Sequence, residues 1–590
     1  MKQNKKGVFL RLLGYLRDYK GVLALALGLV LFATASDLLR PILIGRAMDE
    51  ITAGSLFWKI VQFFGLYMGL LVLGTACSAA QQWLLQRLGQ DVIFRLRQDL
   101  FRKVHSLSLR FFDITPVGRI VTRVTNDVET LNEFFSTILV TMVKNVVLIL
   151  GYAGVMLYLQ WRLALLTFLL LPLVWALTRM FTKLYRTTHR ITRTKVSALN
   201  TYLSENLSAM KLIELFHREK EKRHEFEGRS LDLFQSNFRE IVVYGTFRPL
   251  IYWISIVALA MILGFGGIEV LGGTISIGTL YIFTSYVKSF YEPIQSLSDQ
   301  FSTLQAAMAA GEKIFALLDE EPLIENPPEA KELVRPKGRI EFEHVWFSYD
   351  GEEWVLRDVS FVIEPGQTAA FVGATGAGKS SILNLIGRYY DIQKGRITID
   401  GVDIRQLDIP SLRRAVGQVQ QDVFLFTGDI RGNIRLGNKE ISDEATEEAA
   451  RFVNADGFIR KLERGYEEAV TERGSTLSAG QRQLLSFART LAFDPAILVM
   501  DEATANIDTE TERLIQDAMG RLMAGRTTIV VAHRLSTIQH ADQIMVMHKG
   551  RLREQGTHQQ LLEQGGIYKK LYDLQLRNRT VQGAEEKNKE

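Results

Sequence analysis

The chain is nearly devoid of cysteine: Cys77 stands alone among 590 residues. A lone thiol excludes a disulfide framework and any thiolate zinc cluster built within one chain. Net charge is almost as scarce. The formal balance is +5, too small a basic excess to imply a nucleic-acid partner. With 47% hydrophobic residues, the composition also excludes a disordered chain, a collagen-like repeat or a small stapled fold. At about 100–200 residues per domain, this length implies several domains with real cores. What is present is unevenly spread, and a mean hydropathy near zero hides the split. Long uncharged stretches crowd the first half, while charge and glycine-rich motifs crowd the second.

Six uncharged runs are candidates to span a bilayer: 21–36, 60–86, 145–161, 163–178, 250–268 and 270–287. A spanning helix needs about 20 mainly apolar residues. The first and fourth runs reach that length only by taking in polar neighbours such as Asp37 and Arg179. One such run would suit a buried core helix, but six point to a membrane domain. Basic residues set the orientation. Arg95, Arg97, Arg102, Lys103, Arg110, Arg119 and Arg123 share one connection, and a second basic connection runs from Lys183 to Arg239. The other connections are short and nearly uncharged. The positive-inside rule then expects the N-terminus, both long connections and the C-terminal half in the cytoplasm. No cleavable leader is expected, because residues 1–20 carry charge throughout.

Both long connections show apolar residues at three- and four-residue spacing, as helices do, over 88–107 and 193–238. Phe111, Phe112, Asp113, Pro116 and Gly118 break the first near its tip, and 208–216 is a short amphipathic piece at the tip of the second. Pro322, Pro327, Pro328 and Pro336 crowd a charged stretch that no helix interior tolerates. The expected layout is a membrane domain over 1–319, a linker over 320–338, a soluble domain over 339–576 and a charged tail over 577–590.

The soluble half opens with strand-like alternation over 340–347. A second strand-like run, 368–372, leads into Gly373, Ala374, Thr375, Gly376, Ala377, Gly378, Lys379 and Ser380, with Ser381 and an apolar helix after it. This is G-x-x-x-x-G-K-S in the strand–loop–helix setting that a phosphate-binding loop requires. Its glycines let backbone N–H groups close around phosphates at a helix N-terminus. Lys379 is expected to reach the β- and γ-phosphates of ATP, and the Ser380 hydroxyl to bind Mg²⁺. Further on, an apolar run ends in Asp501 and Glu502, as a strand buried on both faces does at its polar end. Asp501 suits the Mg²⁺ shell, and Glu502 the attacking water.

Leu477, Ser478, Ala479, Gly480 and Gln481, placed before that strand, resemble the signature sequence of ATP-binding-cassette proteins. The rest of the family's set accompanies it. Tyr349 matches the aromatic that stacks on adenine, Gln421 the Q-loop glutamine, Asp508 the D-loop aspartate and His533 the switch histidine. Six spans ahead of one cassette are similar to the bacterial multidrug and lipid-exporter half-transporters. The resemblance implies an all-α six-helix transmembrane domain followed by an α/β P-loop ATPase domain with a helical subdomain. It implies that Glu502, His533 and Gln421 serve catalysis, that Gln421 joins Ser380 and Asp501 around Mg²⁺, and that Ser478, Gly480, Gln481 and Asp508 meet nucleotide across a dimer. It also implies coupling helices near 112–118 and 209–215 that dock near Gln421.

Ala479 replaces the first of the family's two usual signature glycines. A methyl group there would crowd a phosphate or forbid a positive φ. Every residue serving this chain's own P-loop is intact, so a heterodimer with a second half-transporter is favoured over a homodimer. The expected cargo is an amphipathic drug or lipid, and the expected location a bacterial inner membrane. The alternatives are a lipid flippase with a narrow substrate and an ATP-gated regulatory or sensor protein that does not pump. Tyr281, Phe283, Tyr286, Phe290 and Tyr291 read either as a substrate wall or as lipid-facing aromatics. Lys288 and Glu292 read as a one-turn pair. Lys144, Asp37 and Arg40 read either as intramembrane charges, and hence functional candidates, or as groups beyond the hydrocarbon on helices that outrun it.

Overall fold

The computed structural model describes residues 5–54, 57–322, 324–501, 509–531 and 538–574. The chain forms two compact units, Met1–His105 with Val117–Glu320, and Ser106–Pro116 with Glu321–Glu590.

The first unit is helical. Among the described residues, five stretches are long and apolar enough to cross a membrane: Arg17–Thr52, Phe57–Ser106, Val117–Leu159, Trp161–Ser208 and Glu219–Leu271. A two-residue turn at Leu169 and Leu170 interrupts the fourth. A sixth long helix, Ile277–Leu318, is not among these five, since Tyr281, Lys288 and Glu292 interrupt its apolar stretch. The expected sixth span at 270–287 therefore straddles a turn, with the helix beginning only at Ile277.

Asp49 explains that start. Its carboxylate accepts from the Gly278 N–H and the Ser276 hydroxyl, each at 2.7 Å, satisfying donors that a helix N-terminus leaves free. The approach is so close that a Cβ on Gly278 would lie 2.0 Å from the Gly45 carbonyl oxygen. Of the five aromatics expected to line a passage or face lipid, four lie inside the unit and Tyr281 is half-buried; Phe301, farther along the same helix, is exposed. Phe283, Tyr286, Phe290 and Tyr291 are buried in the core of this unit with Tyr152, Met156 and Ile262. Tyr286 donates to the Leu38 carbonyl at 2.5 Å, which satisfies its hydroxyl within the bundle. Lys288 and Glu292 form no ion pair among the described residues; Lys288 is exposed and Glu292 lines a cavity.

The tip pieces are short helices, Leu109–Ile114 and Met210–Leu215. The first ends where Thr115 turns extended ahead of Pro116, as a residue before proline prefers.

The second unit is α/β. Its strands in chain order are β1 (Ile340–Phe347), β2 (Leu356–Ile363), β3 (Thr368–Val372), β4 (Lys394–Ile399), β5 (Val402–Asp403), β6 (Val416–Val419), β7 (Gly428–Asp429), β8 (Ala469–Val470), β9 (Ile497–Asp501), β10 (Thr527–Val531), β11 (Gln543–His548) and β12 (Arg551–Gly556). One sheet has the order β12-β11-β3-β10-β9-β6, parallel except for β12. An antiparallel sheet, β2-β1-β4-β5, lies in the same unit, and β7 pairs with β8. The central strands are largely apolar because both of their faces are covered, the exceptions being threonines at the starts of β3 and β10 and Asp501 at the end of β9. Ala369, Phe371, Ile497 and Val499 pack with the antiparallel sheet, while Ala370, Val372, Leu498 and Met500 pack with helical residues such as Leu484, Leu485 and Phe487.

The proline-rich stretch is held down from Asn326 onward. Asn326 exchanges hydrogen bonds with the Asp408 carboxylate (2.7 Å) and the Ile409 N–H (2.8 Å). Lys331 pairs with Gln406 and Asp408 through the backbone, and the Leu333 N–H donates to Ser411 at 3.1 Å.

Candidate nucleotide site

Register brings the chemistry to one edge of the sheet. On β10, Val531 aligns with Phe371 of β3 on one side and with Asp501 of β9 on the other. The three strands thus end level, and the loop after β3 shares an edge with Asp501. Ligand sites in open α/β sheets sit beyond such carboxyl ends.

The loop from Gly373 to Gly378 passes through left-handed backbone at Gly376 (φ 78°) and Gly378 (φ 98°), which favours glycine. Gly378 caps the helix Lys379–Ile386, and a Cβ there would lie 2.7 Å from Leu356. At Gly373 a Cβ would meet the Met547 carbonyl at 2.2 Å. Ala374, Thr375 and Gly376 are exposed, whereas Ala377 and Ser381 are buried.

Lys379 is 6% exposed, and its ammonium folds over the loop to donate to the carbonyls of Gly373 (2.7 Å) and Ala374 (3.1 Å). Burial lowers its pKa, and Asp501 offsets part of that shift. The Ser380 hydroxyl donates to the Asp501 carboxylate at 3.2 Å. A hydroxyl beside a carboxylate is the hard-oxygen donor set that Mg²⁺ takes, so these two residues fit that ion. Tyr349 follows β1 half-buried, its hydroxyl sharing a hydrogen bond with Ser381 at 3.0 Å. Gln421 lies exposed in the loop after β6. Glu502, Asp508 and His533 lie outside the described residues.

The signature residues begin a helix, Ala479–Ala492. Ser478 and Gln481 form a reciprocal capping box: the Ser478 hydroxyl accepts from the Gln481 N–H at 3.2 Å, and Gln481 Oε1 accepts from the Ser478 N–H at 2.9 Å. Gly480 is buried in the first turn. Ala479 is the first helical residue and is absent from the positive-φ positions, so the expected backbone conflict does not arise. Only the bulk of its methyl group distinguishes it from glycine there.

Two groups escaped the sequence reading. Tyr390, buried after the P-loop helix, packs edge-on against Tyr349 at 4.9 Å between ring centroids and donates its hydroxyl to Asp113 on the helix Leu109–Ile114. Arg489 of the signature helix donates to the carbonyls of Asn433 (2.9 Å) and Phe424 (3.1 Å), bracing the loop beyond Gln421. Its burial lowers the guanidinium pKa. Neither carries a local motif; each acts through a partner distant in sequence.

In the helical unit, Asp37, Lys144 and Glu292 line a cavity of about 450 Å³. Arg40 forms an ion pair with Asp37 one turn away.

A P-loop, an acidic strand end and a capped signature helix within one α/β unit define an ATPase cassette, here fused to a helical membrane domain. Residues 23–294 match the family model "ABC transporter transmembrane region", and residues 356–505 match "ABC transporter". A protein of Streptococcus pneumoniae named as an ABC transporter ATP-binding protein, exp8, is 40% identical over 97% of this chain and 98% of its own length. An ATP-dependent lipid A-core flippase of Desulfotalea psychrophila is 38% identical over 83% of this chain and 86% of its own. A solved bacterial Atm1-family ABC exporter with ATP bound superposes with a TM-score of 0.77 at 28% identity, covering 94% of this chain and 98% of that one. The chain belongs to the ABC transporters, as an exporter half-transporter with membrane and ATPase domains in one polypeptide. It is a multi-pass membrane protein that binds and hydrolyses ATP and works as a dimer.

Proposed function

We propose that this chain exports amphipathic small molecules or lipids across the cytoplasmic membrane, with its N-terminus and cassette in the cytoplasm. The observation that carries the reading is the single cassette, with one P-loop, one Asp501 and one signature helix, joined to a membrane domain that holds a polar cavity. The names of two relatives, a lipid A-core flippase and a fatty acid transporter, favour lipid-like cargo.

Within a closed dimer, Tyr349 stacks on adenine, the Gly373–Ser381 loop wraps the phosphates and Lys379 leaves its own carbonyls for the β- and γ-oxygens. Mg²⁺, held by Ser380 and Asp501 with Gln421 nearby, would neutralise charge on the phosphates. Glu502 orients and deprotonates the attacking water, and His533 contacts the γ-phosphate. Ser478, Gly480 and Gln481 cover the ATP held by the partner's P-loop, and Asp508 lies at the junction. The roles of Glu502, Asp508 and His533 rest on motif position alone.

The favoured partner is a different half-transporter. The Ala479 methyl falls on the partner's ATP site and spares this chain's own, which suits a pair with one active and one degenerate site. Two measurements test this. ATP-driven movement of a labelled lipid and of an amphipathic dye in proteoliposomes tests export; absence of both rejects it. Robust, substrate-stimulated ATPase and transport from this chain alone would reject the heterodimer.

A further inference from the structure

A membrane helix bundle gains nothing from ionisable side chains unless they meet partners, water or a passenger. The cavity of about 450 Å³ lies wholly within this chain's helical unit, with Asp37, Lys144 and Glu292 in its wall beside the amides of Gln81 and Asn145. Asp37 is matched by Arg40 one turn away, and Asn145 is committed to the Ser296 hydroxyl at 2.8 Å. Lys144, half-buried, and Glu292, exposed at the cavity, form no ion pair with each other or with another described residue. The volume sits toward the small end of the range for ligand pockets, about 300–1,000 Å³, and suits a head group rather than a whole lipid.

The two unmatched charges constrain the occupant. An anion beside Lys144 alone would lie in the field of Glu292, and a cation beside Glu292 alone would leave Lys144 bare. A ligand of single sign satisfies one wall group and is penalised by the other, whereas a ligand carrying both signs satisfies both. We propose that the cavity recognises the zwitterionic head group of an amphiphile. Its ammonium lies against Glu292, its phosphate or carboxylate lies against Lys144, and its apolar tail is left to the bilayer. This rests on the exporter reading above and names its class of cargo.

The test is equilibrium binding to the full chain in a non-ionic maltoside detergent, with radiolabelled lysophosphatidylethanolamine as probe. Lysophosphatidic acid and an alkylammonium of similar chain length serve as anionic and cationic competitors, and glycerophosphoethanolamine as the head group without a tail. The zwitterionic lysolipid should bind at least about tenfold more tightly than either single-sign amphiphile, since each of those leaves one wall charge unmatched. Glu292→Gln should abolish the preference over lysophosphatidic acid by raising affinity for that lipid, while the alkylammonium, left with Lys144 alone, binds no better. Lys144→Gln should weaken both phosphate-bearing lysolipids about tenfold and spare the alkylammonium.

Equal affinities in the wild type, or an unchanged ranking in Glu292→Gln, would overturn the proposal. Equal competition by glycerophosphoethanolamine would overturn a lipid-like source in favour of a soluble zwitterion. Monodisperse elution of both variants separates lost recognition from lost folding. ATP-driven transport of other amphiphiles without any zwitterion preference sinks this inference alone; no ATP-driven transport at all sinks the exporter reading.

Discussion

Replacing Tyr390 with Phe removes one oxygen from the only described hydrogen bond between the first connection's tip and the cassette's nucleotide-facing aromatics. Tyr390 is 7% exposed, and its ring meets Tyr349 at 4.9 Å and Phe347 at 5.9 Å. Phenylalanine keeps both edge contacts and deletes only the donor to Asp113. Asp113 is exposed, so water recovers its carboxylate once the hydroxyl is gone. The cost is therefore the net worth of one hydrogen bond, about 1 kcal/mol, rather than the larger penalty of a buried orphan. That is about fivefold in the equilibrium holding the tip against the cassette. If substrate occupancy reaches the ATPase through this contact, stimulation by substrate should fall by about that factor while basal turnover stays within about twofold. ATPase assays in proteoliposomes, with and without substrate, read the ratio directly. A double-mutant cycle with Asp113→Asn should be non-additive. Burial raises the Tyr390 pKa well above its ordinary value, and hydrogen bonding to Asp113 adds to the shift. A raised tyrosine contributes fully below its unfolded value of about 10 and loses that contribution only above it, so this group should impose no pH dependence between about pH 6 and pH 9. Unchanged stimulation in Tyr390→Phe, or equal loss of basal and stimulated rates, refutes the reasoning.

Glu502→Gln should retain ATP binding and nearly abolish turnover at this chain's site, since an amide keeps the shape of the carboxylate but cannot accept a proton; turnover within a few-fold of wild type in a dimer carrying the change in every copy rejects the assignment. Lys379→Ala should weaken ATP binding itself, measured with a fluorescent nucleotide. Because burial lowers the Lys379 pKa, the charge that binds phosphate is lost from lower pH upward, and ATP affinity should begin to fall before the ordinary lysine range near about 10.4. An affinity flat to that range would show that Asp501 and the phosphates restore the charge fully. Ser478→Ala should cost about 1 kcal/mol through loss of the helix cap, seen as a lower thermal midpoint; an unchanged midpoint with weaker nucleotide-driven dimerisation would assign Ser478 to the interface alone.

Much of the cassette was legible because its signals are local. A strand covered on both faces is mostly apolar, so the runs 497–500 of β9 and 529–531 of β10 stand out, and the P-loop declares itself through glycines that tolerate left-handed backbone. The membrane helices announce themselves by length and apolarity. What those signals lack is direction. Phe283, Tyr286, Phe290 and Tyr291 recur with helical spacing, but which neighbour that face meets is a tertiary fact, and they pack inward against Tyr152 and Ile262. The hydrogen bond from Tyr390 to Asp113 spans 277 residues, beyond any pattern read along the chain. Ala479 shows the converse: the substitution was visible, but its backbone sits in a helical first turn where alanine is at ease.

The docked proline stretch also sets a leash. The last helix of the membrane unit ends at Leu318, and Arg11 clamps the next residue, Asp319, through two hydrogen bonds of 2.6 and 2.8 Å. Asn326 is already fastened to the cassette. Only six residues lie between these anchors, and the seven steps they make, at about 3.5 Å each, reach no farther than about 25 Å. A cassette on so short a tether cannot diffuse away when ATP is spent. Its search for a partner cassette is confined to a small volume, so re-pairing proceeds at high effective concentration, and its separation is capped by chain length rather than by the strength of any contact.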